Sequence, residues 1–177
     1  MREIKIDLPV CDQFDEKHDK DWAHRICAIC SLWMLLKHHD SAFDVPVMGL
    51  VMQCLCRQGY LENVGWKHAV IVDLAAEHGL KLQYAQRFFY TPEEKETGIA
   101  VINSNLKNNR PVIVSIFHEL NPAKGGHMVV IRGFQEFNDA TIGYYVQDPD
   151  GRRRGHNYFL TKQEFIDGWR GGLISGG

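Results

Sequence analysis

The chain has 177 residues, with 20 Lys and Arg against 22 Asp and Glu and a formal charge of -2. That length suits one ordinary domain, expected to span residues 1–177, and the near-balanced charge supplies no chain-wide field for nucleic acid or anionic lipid. Charged residues break every apolar run before it reaches membrane-spanning length, so neither a nucleic-acid partner nor a membrane-spanning segment is expected.

The first residues, MREIKIDLPVCDQFDE, lack the unbroken apolar segment of a secretory signal, and the initial Met argues against one having been trimmed. The five cysteines are odd in number, and Cys54 and Cys56 are poorly spaced for a mutual disulfide. A reducing compartment, the cytoplasm, is the expected location.

In chain order, apolar residues at spacings of three and four (Ile26, Ile29, Cys30, Trp33, Leu36) predict a first helix. VPVMGLVMQCLCRQGY and WKHAVIVDLAAEHGL predict two more, the third stopped by Gly79. A short strand, KLQYAQRF, should follow, and then a helix over GIAVINSNLKNN that ends before Arg110-Pro111. The periodicity then changes. PVIVSIF, HMVVIRGFQEF, IGYYVQD and HNYFLT are β-branched and aromatic runs divided by turn residues, as in an antiparallel sheet, and KQEFIDGW closes the chain as a short helix. Helices first and an antiparallel sheet afterwards predict an α+β fold with the helical layer on one sheet face. Arg152-Arg153-Arg154 has no interleaved aromatics and reads as a solvated loop.

A thiol is a useful nucleophile only as thiolate, which requires a basic partner and a favourable field. Cys27 stands near the start of the first helix, where unpaired amides lower a thiol pKa and can donate to an oxyanion. Cys30, one turn further in and on the side of Ile26 and Trp33, reads as a small core residue. Among the nine histidines, His18 and His24 have polar surroundings, His38 and His39 lie at a helix end, and His78 adjoins Gly79. His127 differs because it follows Gly125-Gly126 and starts a strand, where glycines allow another backbone to approach. Asp148 ends the next strand before Pro149. An antiparallel neighbour can bring its carboxylate to the imidazole and fix the tautomer, or the acid can simply cap its own turn, as can Asp150.

In sequence, Leu8-Pro9-Val10 with Gln13, then Trp22, then Cys27 with Ser31, Leu32 and Met34 precede Pro111–Val114, Gly126-His127-Met128-Val129-Val130, Gly133 and Asp148-Pro149. In that order and spacing the chain resembles papain-like cysteine peptidases of the double-glycine (bacteriocin leader) peptidase type, in the standalone form without a fused transporter. The resemblance implies the papain-like fold, the nucleophile at Cys27 rather than Cys30, His127 as base and Asp148 as its orienting carboxylate. It also implies Gln13 as side-chain donor to the oxyanion beside the Cys27 amide. It implies a peptide or protein substrate cut after small residues such as Gly-Gly, with no metal or organic cofactor. Two positions depart from the family pattern: Ala28-Ile29 stand where Gly usually follows the nucleophile, and Ile26 where an acid often precedes it. Both bear on substrate preference.

Other readings compete. A non-catalytic peptide binder on the same fold, or an enzyme applying the same chemistry to another amide, would keep these elements. A zinc-binding module could use Cys27, Cys30, Cys54 and Cys56. Cys54 and Cys56, however, lie about 200° apart around a helix and cannot chelate one ion together. A thioredoxin-like site needs its cysteine pair after a strand, and DPDG lacks the remaining ligands of a calcium loop.

Overall fold

The computed structural model describes residues 1–85 and 89–177. Helix α1 (Cys27–His39) buries Ala28, Ile29, Cys30, Ser31, Leu32, Met34, Leu35 and Leu36, so it is sealed on most sides. One flank packs on the sheet strands described below; the other meets α2 (Val47–Cys56) and α3 (His68–Glu77). Gly79 ends α3 as the sequence leads one to expect. At φ +83° it lets Leu80 N–H reach the Ala75 carbonyl at 2.9 Å and its own N–H reach Ala76 at 3.0 Å, satisfying carbonyls the helix leaves open.

The second predicted helix is too long at its C-terminal end. Gln58 takes φ +52°, and Tyr60–Leu61 (β2) pairs with Gly65–Trp66 (β3) as a small hairpin, so Tyr60 and Trp66 leave the helices assigned to them. Their rings close on Trp22, with centroids 5.3 Å and 5.8 Å from it. The KLQYAQRF strand is present as β4 (Leu82–Tyr84); its residues 86–88 lie outside the described residues. Helix α4 (Pro92–Lys107) starts six residues before the predicted Gly98, because Thr91 and Glu94 form a reciprocal capping box with Pro92 at the first helical position.

Strands β5 (Val112–Phe117), β6 (Gly126–Phe137), β7 (Ala140–Gln147) and β8 (Asn157–Thr161) form the expected antiparallel meander. Two strands join it that the periodicity does not reveal. β1 (Arg2–Lys5) pairs with the far half of β6, Lys5 opposite Gly133, continuing the line where β5 stops at Val112. The short helix Lys162–Gly168, here α6 (α5 being the single turn Gly151–Arg154), does not close the chain. After it, β9 (Trp169–Gly176) enters the sheet between β4 and β5, giving the order β4-β9-β5-β6-β7-β8. One apolar core joins α1, α2, α3, α4 and the sheet. Among the described residues no helix is long and apolar enough to cross a membrane.

Candidate active site

Cys27 is the first residue of α1, with no side chain capping the turn before it, so the free amides of that turn face the same space as its sulfur. The thiol is half-buried. Burial alone would push its pKa up, but hydrogen bonds from His127 and the Met128 backbone outweigh that and hold it below the ordinary thiol value.

His127 is the second residue of β6, opposite Ile116 of β5, and is 4 % exposed. Its Nε2 lies 2.6 Å from Asp148 Oδ1, which leaves Nδ1 as the ring nitrogen for the thiol. Burial opposes the imidazolium, yet the Asp148 hydrogen bond and the Cys27 sulfur prevail and raise its pKa to about 10. Lowering the thiol and raising the imidazole both favour the thiolate–imidazolium form of the pair.

Asp148 follows directly on β7 and satisfies both readings that the sequence leaves open. Its Oδ1 accepts from the Asp150 backbone N–H at 2.8 Å as well as from His127, while Oδ2 accepts from the Tyr158 hydroxyl at 2.8 Å. Tyr158 projects from β8 and is absent from the sequence argument; β7–β8 pairing, with Val146 opposite Tyr158, brings it there. Asp150 caps α5, and a forked contact with Arg152 at 2.9 and 2.8 Å holds its carboxyl well below the usual range. Arg152 is therefore not a merely solvated residue: its guanidinium also covers the Phe14 ring at 3.6 Å.

Gln13 is buried. Its backbone N–H reaches the Pro149 carbonyl at 3.0 Å, and its Nε2 donates to the Ala23 carbonyl at 3.0 Å, in the 3-10 turn (Ala23–Arg25) that precedes α1. The acceptor fixes the amide's orientation, leaving a second N–H on Nε2 while Oε1 is buried without a partner. One loop residue thus touches both the segment after Asp148 and the segment before Cys27.

Cys27 and His127 line one wall of a cleft of about 740 Å³, and the β2–β3 hairpin lines another. The glycine ahead of His127 makes room for a side chain and not, as the sequence suggests, for backbone: a Cβ on Gly126 would sit 1.9 Å from Arg170. Among the described residues, the Lys, Arg, Asp and Glu of the lining are Arg25, Lys67, Lys124 and Arg170, all basic.

The other cysteines part company with Cys27. Cys54 is buried in α2, its pKa pushed up to about 11 by burial, and Cys56 is exposed. Among the described residues neither belongs to a group able to hold a metal, so Cys27, Cys30, Cys54 and Cys56 do not form the zinc site weighed above. Cys30 instead meets Cys11 and His18, with their ligand atoms within 4.8 Å of one another. The Cys30 thiol outweighs burial in lowering the Cys11 pKa to about 7, with help from His18.

Comparison with known proteins gives a consistent picture. The family described as "Peptidase_C39 like family" matches residues 5–171. No curated protein matches the chain. Among solved structures, a Bacillus anthracis protein assigned as a C39-like peptidase is similar at TM-score 0.68 and 17% identity, over 99% of this chain and 97% of that one. The peptidase domain of Streptococcus ComA, a bifunctional ABC transporter involved in quorum sensing, is similar at TM-score 0.60 and 18% identity, over 97% and 96%. A double glycine motif protease from an AMS/PCAT transporter, solved with its leader peptide, is similar at 0.57 and 18%, over 100% and 99%. At these identities the structural likeness speaks to the fold.

Proposed function

Given that the chain belongs to the Peptidase C39-like family, we propose that residues 1–177 form one cysteine peptidase domain that cuts a peptide bond by acyl transfer through Cys27, His127 and Asp148. The carrying observation is the 2.6 Å contact of His127 Nε2 with Asp148 beside a thiol at a helix start. The Cys27 thiolate adds to the scissile carbonyl. The Cys27 amide and the spare N–H of Gln13 receive the oxyanion, and His127 gives its proton to the departing amine. Water, deprotonated by His127, then releases the acyl group and restores the thiolate–imidazolium pair. Asp148 keeps the ring oriented and compensates its charge throughout.

The substrate in this reading is a peptide segment cut after small residues such as Gly-Gly. The basic side chains of the described cleft lining, of which Arg25 and Lys124 already pair with Glu62 and Glu119, favour acidic side chains in that segment. The thiols, none of them in a disulfide, suit a cytoplasmic setting. Incubation with a peptide library, read by mass spectrometry beside a Cys27→Ala control, tests the assignment. Cleavage lost in the control supports it; peptide retention without cleavage in the native protein would make this a binding domain.

A further inference from the structure

Cys11, His18 and Cys30 take no part in the chemistry above, yet the loop that precedes α1 folds back on that helix and brings them together. Cys30 is fully buried one turn into α1 and Cys11 is 6 % exposed, while His18 is half-buried at the edge of the group. All three ligand atoms lie within 4.8 Å of one another, the sole such grouping of His, Cys, Asp and Glu among the described residues. Residues 7–22, which supply Cys11 and His18, contain no helix or strand and are held by turns.

We propose that Cys11, His18 and Cys30 bind a zinc ion that clamps the Gln13 loop onto the nucleophile helix. Two thiolates and an imidazole are a borderline-soft donor set of the kind zinc takes, and three protein ligands leave the fourth tetrahedral position to water. With zinc–sulfur bonds of about 2.3 Å and zinc–nitrogen bonds of about 2.0–2.1 Å, tetrahedral coordination wants sulfur–sulfur and sulfur–nitrogen separations of roughly 3.6–3.8 Å. The present spacing reaches that by small side-chain rotations. Each cysteine entering as a thiol releases its proton to solvent, and His18 enters neutral. Buried thiols without an imidazole would be ordinary core residues; the convergence of a histidine from a turn-held loop is what distinguishes this group.

The position gives the ion a consequence. Cys11 and His18 flank Gln13, so ligation on both sides would hold a segment that has no secondary structure of its own. The effect on turnover rests on the peptidase reading; the metal site does not.

The test uses the native chain, made metal-free under reducing conditions and titrated with cobalt(II). Expected are one equivalent bound, a thiolate-to-cobalt band in the near ultraviolet and the visible bands of tetrahedral cobalt, all displaced by zinc. The same result is expected in Cys27→Ala, so that loss of peptidase activity does not affect it. Cys11→Ser and His18→Ala, which spare the fully buried Cys30, should each weaken binding by at least the roughly 10- to 100-fold that loss of a mere supporting partner costs, with the far-ultraviolet circular dichroism unchanged. No thiolate band in the native chain, or a band that survives in the Cys11→Ser/His18→Ala double variant, overturns the site. So does a Cys11–Cys30 disulfide in place of metal after purification without oxidant. The clamp is tested separately: zinc removal should lower kcat while iodoacetamide still alkylates Cys27, and unchanged kcat would overturn that role.

Discussion

Cys27 and Cys30 are three residues apart on one helix, yet their sulfurs face different histidines in different surroundings. Cys27 is at the helix end, opens on the cleft, and meets an imidazole backed by the Asp148 carboxylate. Cys30 is sealed one turn in, and burial, followed by the neighbouring Cys11 sulfur, pushes its thiol up. A thiol beside a histidine is thus not enough for nucleophilic character. What separates the two is the group behind the imidazole, the free amides of the first helical turn, and access for substrate.

The largest expected effect would break the comparison outright if it failed. Cys27→Ala should reduce peptide cleavage to the uncatalysed background while leaving thermal stability nearly unchanged, because the side chain is only half-buried. Labelling sharpens the same contrast. At pH 6–7 iodoacetamide should modify Cys27 first, since Cys30 is both raised and buried, and Cys11, although lowered to about 7, is enclosed. Peptide mapping that found Cys30 or Cys54 modified first would reverse the assignment.

Gln13→Ala should come next, with kcat lower by about 10² to 10³ and KM nearly constant, as expected when one oxyanion donor is lost. Alkylation of Cys27 should persist, since it develops no oxyanion on a carbonyl. His24, which lines the cleft and packs edge-on against Phe14, is the rival donor. A kcat defect in His24→Ala with a silent Gln13→Ala would move the oxyanion hole there.

Asp148→Asn should cost less, about 10- to 100-fold in kcat/KM, because the amide oxygen can still accept from His127, while the charge and the acceptor for the Tyr158 hydroxyl are lost. The pH dependence gives the sign. In the native chain the reactive thiolate–imidazolium pair exists above the lowered Cys27 pKa and below the His127 value of about 10. Without the carboxylate charge the imidazole pKa falls, and Cys27 loses a nearby negative charge that raises its own pKa, so both limits of the alkylation plateau should move to lower pH. The smallest effect belongs to Tyr158→Phe. It removes one donor to Asp148 and should lower stability by about 0.5–1.5 kcal/mol, with activity reduced less than about tenfold. Thermal melts and kinetics on the purified variant check both.

Much of this arrangement is written in the sequence because it depends on near neighbours. A helix start at Cys27 and adjacent antiparallel strands carrying His127 and Asp148 follow from periodicity and strand order, although Gln13 enters only through family resemblance. The parts that escape depend on distant register or on weak local signal. Tyr158 reaches Asp148 only through the β7–β8 register, and Cys11 and His18 sit in a segment with no periodicity to predict its path to Cys30. Strand β9 reads WRGGLISG, and its glycines dilute the β signal although five of its last six residues are buried. Thr91-Pro92-Glu93-Glu94, by contrast, is a legible helix start, which the apolar repeat beginning only at Gly98 does not mark.

The place of β9 in the sheet also bears on biosynthesis. The strands that carry the thiol's partners are made before β9, but β4 and β5 cannot be bridged until residues 169–176 have emerged from the ribosome, because β9 lies between them. Until then the nascent chain presents two unpaired edges, one of them the apolar VIVSIF of β5. Closing that gap joins residues about sixty positions apart, Ile113 with Ile174 among them, which makes it a slow late step. The interval before it is the period in which the newly made protein is most open to aggregation and most in need of a chaperone.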